Sequence, residues 1–340
     1  MLSLYITILI LVFIGIGFYK DINIEEALSI KQCNAIKGVS ILLVFISHAN
    51  SYIVGSNYSF SFIGDDLFLK IQHCIGQLCV VMFLFYSGYG TEHSILTKGV
   101  YYANRMPKRR ILSTLLNFDV AVFVFLIINI FLGINVSLIR FIKSLIAWES
   151  IGNSNWYIFD ILLCYLISYI STKLSNNPTK RLIIVLTLSL FLIVFLFFFK
   201  SSWWYDTILA YSAGMFIAQK KDVIYQNIRN NYYIVLLGLF ILFILFFNLG
   251  IFHIITYSVA SVLFSLLLLM LTMKIKISNR LLLWFGRNLF PLYIYQRVPM
   301  LIISHLYPSF VNSYPIYFCI ISFCFTVTIT FLYKFIKISF

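Results

Sequence analysis

The chain has 340 residues, 61% of them hydrophobic, 19% aromatic and only 11% charged. A water-soluble domain of this length needs far more polar surface, so the composition excludes one and points to a polytopic membrane protein. The formal charge of +14 suggests nucleic acid at first sight, but the placement of the basic residues decides otherwise.

Hydropathy places about eleven spans, near residues 2–19, 36–54, 74–90, 111–134, 156–172, 182–199, 203–218, 232–249, 253–273, 288–307 and 314–333. Turn-forming residues punctuate them at Ser175-Asn-Asn-Pro178, Asn248-Leu-Gly250, Tyr307-Pro308 and Tyr314-Pro315. The expected fold is an all-α polytopic membrane helical bundle. No polar stretch exceeds about twenty residues, too few to bury a separate soluble core. The first span has neither a basic leader nor an A-x-A-like cleavage site, so it reads as a retained helix and not as a signal peptide.

The second span carries the most informative pair. In Ala35-Ile-Lys-Gly-Val-Ser-Ile-Leu-Leu-Val-Phe-Ile-Ser-His-Ala-Asn50, Lys37 precedes His48 by eleven residues. Eleven residues turn a helix by about 1100°, roughly 20° past three full turns, and advance it about 16 Å, so both side chains share one face. Lys37 then stands near one lipid–water boundary and His48 beyond the midplane. An ionisable ring inside a span is expensive and functional by default. The blander alternative is an imidazole hydrogen-bonded to a neighbouring helix.

Further along, Asp160 lies four residues into the fifth span, behind Trp156-Tyr157. It either orients His48, receives a substrate hydroxyl or anchors the helix end. Asp206 is explained by a helix start. Arg297 in the tenth span needs a partner, with Asp119 and Asp160 as candidates. Trp156, Trp203 and Trp204 read first as an interfacial aromatic belt, with sugar stacking as the alternative. His73, His93, His253 and His305 sit near span ends, where a solvated imidazole needs no special role. Cys33, Cys74, Cys79, Cys164, Cys319 and Cys324 lie scattered, without metal or redox spacing.

The basic residues orient the chain. With the N-terminus outside, twenty of the 25 Lys and Arg residues fall on cytoplasmic segments, while Lys70, Arg140, Lys143 and Lys200 fall outside. The positive-inside rule therefore absorbs the +14, and no nucleic-acid partner is needed. Arg105, Lys108, Arg109 and Arg110 are topology anchors first and a phosphate-binding mouth second. Lys37, at the edge of its span, is either a snorkelling anchor or a phosphate contact.

Taken in order, these segments resemble a known family. Residues Asn34 to His48 are similar to the opening signature of the acyltransferase type 3 membrane proteins: a basic residue followed by Gly, then His eleven positions after the basic residue. Val81-Met-Phe-Leu-Phe-Tyr-Ser-Gly-Tyr89 resembles the family's aromatic run, and Arg105 to Arg110 its basic loop. Asn155-Trp-Tyr157 resembles its Trp-Tyr/Phe pair, and Ala210 to Met215 its Gly-containing helix. Phe285-Gly-Arg-Asn-Leu-Phe-Pro-Leu-Tyr-Ile-Tyr295 is similar to its late Gly-x-x-Ser-x-x-x-Tyr segment. The likeness covers residues 30 to 335. Lys37 stands where the family usually has Arg, keeping the charge but losing the bidentate fork. Gln296 stands where a His is common, Ser113 near a usual Pro, and no extracytoplasmic hydrolase-like domain is attached. On this reading residues 1–29 are an extra transmembrane helix and linker ahead of a ten-helix acyltransferase domain, 30–340.

The resemblance implies a membrane O-acyltransferase of the cytoplasmic membrane, moving an acyl group, usually acetyl, from cytosolic acyl-CoA to a hydroxyl of an extracytoplasmic glycan or its lipid-linked precursor. His48 and Asp160 would be catalytic. Lys37, Arg105, Arg109 and Arg110 would hold the CoA phosphates, and Trp156, Gln296 and Arg297 would meet the acceptor. Acetyl-CoA is the donor co-substrate, with no metal and no bound cofactor. Elementary chemistry agrees: a polyanionic donor needs a basic mouth, and an alcohol nucleophile needs a base, for which a neutral imidazole serves. The same ring could instead carry the acyl group transiently. Two rivals remain. A lipid-linked glycan flippase should show internal repeats and helices broken at midplane. A glycan polymerase should show a large outer loop, and the segments 55–73 and 135–155 are short for one.

Overall fold

Helices dominate because long apolar runs in a bilayer must satisfy their backbone groups within one segment. The computed structural model describes residues 1–60, 63–250 and 254–338. In chain order the elements are α1 (Ser3–Phe13), β1 (Ile16–Phe18), α2 (Ile24–Ala27), α3 (Ile30–Gly55), α4 (Asp65–Ile75) and α5 (Leu78–Met106). A π turn, Pro107–Leu112, joins α5 to α6 (Ser113–Phe131), followed by α7 (Leu138–Leu145), α8 (Trp156–Leu174) and α9 (Pro178–Phe199). Then come α10 (Leu209–Ile228), α11 (Tyr232–Gly250), α12 (Ile254–Thr272), β2 (Ile275–Ile277), α13 (Arg280–Arg287), α14 (Leu289–Tyr295), α15 (Arg297–Leu306), α16 (Pro308–Ser313) and α17 (Pro315–Ile336).

Among the described residues, seven helical stretches are long and apolar enough to cross a membrane, so the chain is a multi-pass membrane protein. Hydropathy alone suggested about eleven, and the differences have physical causes. The segments 74–90 and 111–134 fall within one long stretch, Asp65–Phe131, whose helical backbone is interrupted at Gly76 and kinked at Gly99. The segment 2–19 is not one helix: α1 has 11 residues, about 16 Å against roughly 30 Å of hydrocarbon, and the chain then turns into β1. The segment 288–307 forms two short helices, α14 and α15, that meet at Gln296, whose own backbone stays helical. The expected start of the ninth span, His253, lies outside the described residues.

The all-α expectation has one small exception. Strands β1 and β2 pair antiparallel, with Ile16 opposite Ile277 and Phe18 opposite Ile275. The free edge of β2 is satisfied by the buried Gln32 side chain, which donates to the Ile275 carbonyl at 3.0 Å and accepts from the Ile277 amide at 3.1 Å. Asn279 caps α13 and also donates to the Leu11 carbonyl at 2.8 Å. These bonds tie the N-terminal segment to the starts of α3 and α13.

Two close helix crossings organise the bundle. A Cβ on Gly38 of α3 would meet the Leu282 carbonyl of α13, and one on Gly286 would meet the Asn34 carbonyl. The same reciprocity joins α5 and α10 through Gly88 and Gly214. Small residues allow backbones this near, which is how helices gain contact in a solvent as apolar as their own side chains.

Candidate active site

Helix α3 starts at Ser29, whose side chain caps the Gln32 amide, and runs unbroken through both Lys37 and His48. The eleven-residue offset therefore keeps its geometry, about 16 Å along one face. Lys37 is half-buried, with its ammonium 5.6 Å from the centre of the Tyr86 ring on α5.

Lys37 lines a cleft of about 810 Å³ that opens at the basic end of the bundle, where α3 and α6 begin and α17 ends. Four more cations line it: Arg110, Arg287, Lys334 and Lys337. Its other polar contributors are neutral, among them Asn34, Ser87, Ser113, Asn117 and Asn288, and among the described residues no carboxylate is present in the wall. Five like charges in one concave wall create a positive potential suited to a polyanion. Asn117 sets part of this wall. Its amide donates to the Ile338 carbonyl at 2.7 Å, and its oxygen accepts from the Tyr333 hydroxyl and the Ile338 amide, both at 2.9 Å. That clamp holds the end of α17, and with it Lys334 and Lys337, against the start of α6.

The basic cluster divides between two cavities. Arg110 lines the main cleft, donates to the Tyr102 hydroxyl at 3.2 Å and lies 5.9 Å from the centre of the Tyr165 ring. Arg105 and Arg109 line an adjoining groove of about 400 Å³ that shares Arg110, Ser113 and Lys337 with the cleft. Arg105 lies over the Tyr101 ring at 5.1 Å and bonds its hydroxyl. The π turn at 107–112 carries the cluster, and such turns insert an extra residue into the helical phase.

Tyr157 and Tyr293 line the cleft at the end toward His48, packed edge to face at 5.3 Å between ring centres. His48 lies behind that wall, its ring centre 6.2 Å from that of Tyr293. It is half-buried and is not itself part of the cleft lining. Its Nδ1 faces the hydroxyl of the buried Ser154 at 3.5 Å. Ser154 belongs to a buried loop whose backbone is satisfied by asparagines: Asn129 donates to the Ile151 carbonyl at 2.6 Å, and Asn155 to the Ala147 carbonyl at 2.9 Å. The polar run Gly152-Asn-Ser-Asn155 was the available sequence signal for it.

Two sequence expectations need correction. No hydrogen bond or ion pair joins Asp160 to His48; Asp160 is fully buried with both oxygens unpartnered. Asp206 is also buried, which a plain helix-terminus role does not require. Nor does Arg297 pair with Asp119 or Asp160 among the described residues. It lies over the Tyr52 ring at 5.5 Å with its Nε unpartnered, and its charge bears on the His48 ring and on Tyr293. Tyr157 of α8 packs on Tyr293 of α14, which in turn faces the His48 ring, and Arg297 faces the Tyr52 ring of α3.

Gln296 is buried where α14 and α15 meet. Its amide donates to the Tyr293 carbonyl at 3.1 Å, while its own oxygen has no partner. Trp156 is half-buried, edge-on to Tyr157 at 6.5 Å. Of the other two expected belt residues, Trp203 is exposed and Trp204 is buried beneath the Lys200 ammonium, 4.2 Å from its ring centre. Arg287, Lys334 and Lys337 went unsingled by sequence reasoning because each reads as one more cytoplasmic anchor.

Compared with known proteins, the acyltransferase-domain model of the type 3 family matches residues 30–334, almost the whole chain. No curated protein matches, and no solved structure does.

Proposed function

The chain belongs to the acyltransferase type 3 family, and we propose that it transfers an acetyl group from cytosolic acetyl-CoA to a hydroxyl of an extracytoplasmic surface polysaccharide or of its lipid-linked precursor. One observation carries this reading: a cleft lined, among the described residues, by five cations and no carboxylate reaches Tyr293, and His48 stands directly behind, on the same helix as Lys37. A donor with several phosphates and a long neutral arm fits that layout. Charge-assisted bonds from Lys37, Arg110, Arg287, Lys334 and Lys337 hold the phosphates, with Arg105 and Arg109 adding to the field from the adjoining groove. The excess of basic residues at this end supports placing it, and the C-terminus, in the cytosol of a cell membrane, with the N-terminus outside.

The chemistry then follows from the positions. The arm runs past Tyr86 along the α3 face and brings the thioester to His48. The acceptor arrives from the opposite end of the bundle, past Trp156, Gln296 and Arg297. In the tautomer whose Nδ1–H donates to Ser154, the free Nε2 takes the proton of the attacking hydroxyl. The thiolate leaves and is reprotonated by the same ring. We favour His48 as general base over acyl carrier. Asp160 is buried and unpartnered, and the part we propose for it is to receive an acceptor hydroxyl rather than to orient His48.

Purified protein in vesicles tests the reading. With acetyl-CoA outside and a glycan acceptor inside, the wild type should build up acetyl ester on the acceptor, and His48→Ala should reduce the rate by about 10²–10⁴-fold, the usual contribution of a general base. Ester formation by His48→Ala at the wild-type rate would remove the mechanism. Acceptor crossing the bilayer without acylation would favour a flippase.

A further inference from the structure

Tyr293 occupies the boundary between the donor cleft and the His48 ring, and its hydroxyl is unused. The side chain lines the cleft at the end toward His48 and is 1% exposed. Its hydroxyl makes no hydrogen bond with any described residue. Buried polar atoms are nearly always paired, so one left unpaired beside a reaction site calls for a partner that arrives later. The Tyr157 amide, in the open first turn of α8, approaches the phenol oxygen without closing a hydrogen bond. An N–H directed at that oxygen leaves the hydroxyl proton free to donate. The ring itself is held by Tyr157 on one side, and its backbone carbonyl by the Gln296 amide.

We propose that Tyr293 is the oxyanion donor of the acyl transfer, its hydroxyl donating to the thioester carbonyl oxygen; this rests on the reaction proposed above. The acceptor oxygen bonds to the carbonyl carbon while its proton passes to His48. The carbonyl π pair moves onto oxygen, where the Tyr293 O–H meets the developing negative charge, reinforced by the nearby Arg297. On collapse the carbonyl double bond re-forms, the carbon–sulfur bond breaks, and the departing sulfur takes the proton back from His48.

The chain supplies its own control. Tyr295, two residues on and about 200° around the same helix, is also 1% exposed with an unpartnered hydroxyl, but it packs against Tyr333 at 6.1 Å and does not line the cleft. The test compares Tyr293→Phe with Tyr295→Phe in the vesicle assay, reading kcat and KM for acetyl-CoA along with the melting temperature in detergent. Tyr293→Phe should lower kcat by about 10²–10³-fold, leave KM within about twofold and leave melting at or above wild type, because only an unpaired hydroxyl is lost. Tyr295→Phe should match wild type in both kinetic constants. An unchanged kcat in Tyr293→Phe, equal losses in both variants, a change confined to KM, or a melting drop of several degrees each overturns the assignment. If the wild type transfers acetyl and His48→Ala does not, such a result sinks the oxyanion role alone. A wild type inactive with acetyl-CoA sinks the reaction and this role with it.

Discussion

Helices α3 and α11 are both long and apolar enough to cross a membrane, yet half of α3's most apolar window is buried in protein and none of α11's is. Helix α11 carries no charged residue, and Tyr233, Ile234, Leu237 and Ile241 on it are all exposed. Helix α3 carries Lys37 and His48 and is packed by α1, α5, α13, α14 and α17. The difference is one of solvation. A lipid-facing helix has no neighbour to stabilise a polar group, so chemistry concentrates on the helix with most protein around it. Their glycines make the same point. Gly38 abuts a backbone carbonyl of α13, whereas Gly238 of α11 has nothing within 4 Å of where a Cβ would stand.

That contrast can be broken by exchanging substitutions between the two helices. Gly38→Leu should prevent folding, since the added side chain meets backbone that cannot turn aside; overpacking costs about 1–3 kcal/mol even where neighbours can adjust. Gly238→Leu should leave the melting temperature equal or raised, helped by a helix-propensity gain of up to about 1 kcal/mol. Equal melting of the two variants would refute the packing assignment.

A smaller effect tests the charge on α3. Lys37→Gln should raise KM for acetyl-CoA by roughly 10–100-fold, the loss of one charge-assisted bond of about 1.5–3 kcal/mol, with kcat changed far less. A selective loss of kcat would move Lys37 from donor binding into the chemical step.

Smaller again is the comparison within the basic cluster. Arg110 lines the cleft while Arg105 is engaged with Tyr101 in the adjoining groove. Arg110→Ala should therefore raise KM several-fold and Arg105→Ala about twofold, as expected for a charge acting at a distance through screening solvent. The reverse order would mean that the donor phosphates sit in the smaller groove. The smallest effect is expected from salt: raising ionic strength from about 0.01 to 0.15 M shortens the Debye length from about 30 to 8 Å. KM for acetyl-CoA should rise modestly, with less change in the Lys37→Gln variant.

The parts readable in advance were those with a local period. The placement of Lys37 and His48 on one face needs only an unbroken helix, and α3 supplies one. The family likeness rested on segments of that kind. The span count was less readable, because hydropathy cannot see a helix that gives way to a strand after Phe13 or kinks at Gly99. The site was legible in its axis but not in its walls. Ser154 reaches His48 from a loop more than a hundred positions away, and Lys334 and Lys337 join the cleft only because Asn117 fastens the chain end to α6. Asp160 sits on the expected helix, yet its carboxylate makes no hydrogen bond to the ring it was expected to orient.

Residue order by itself determined that this chain lives in a bilayer as helices, that its cations gather at one end, and that one span holds a lysine and a histidine in line. Those are properties of single segments, set by solvent transfer and by a rotation of 100° per residue. Tertiary structure alone decided that five cations from four separate stretches share one cleft, and that two tyrosines part it from the imidazole. Such proximities depend on which helices lack side chains where backbones cross, a contact between distant segments that no local pattern encodes.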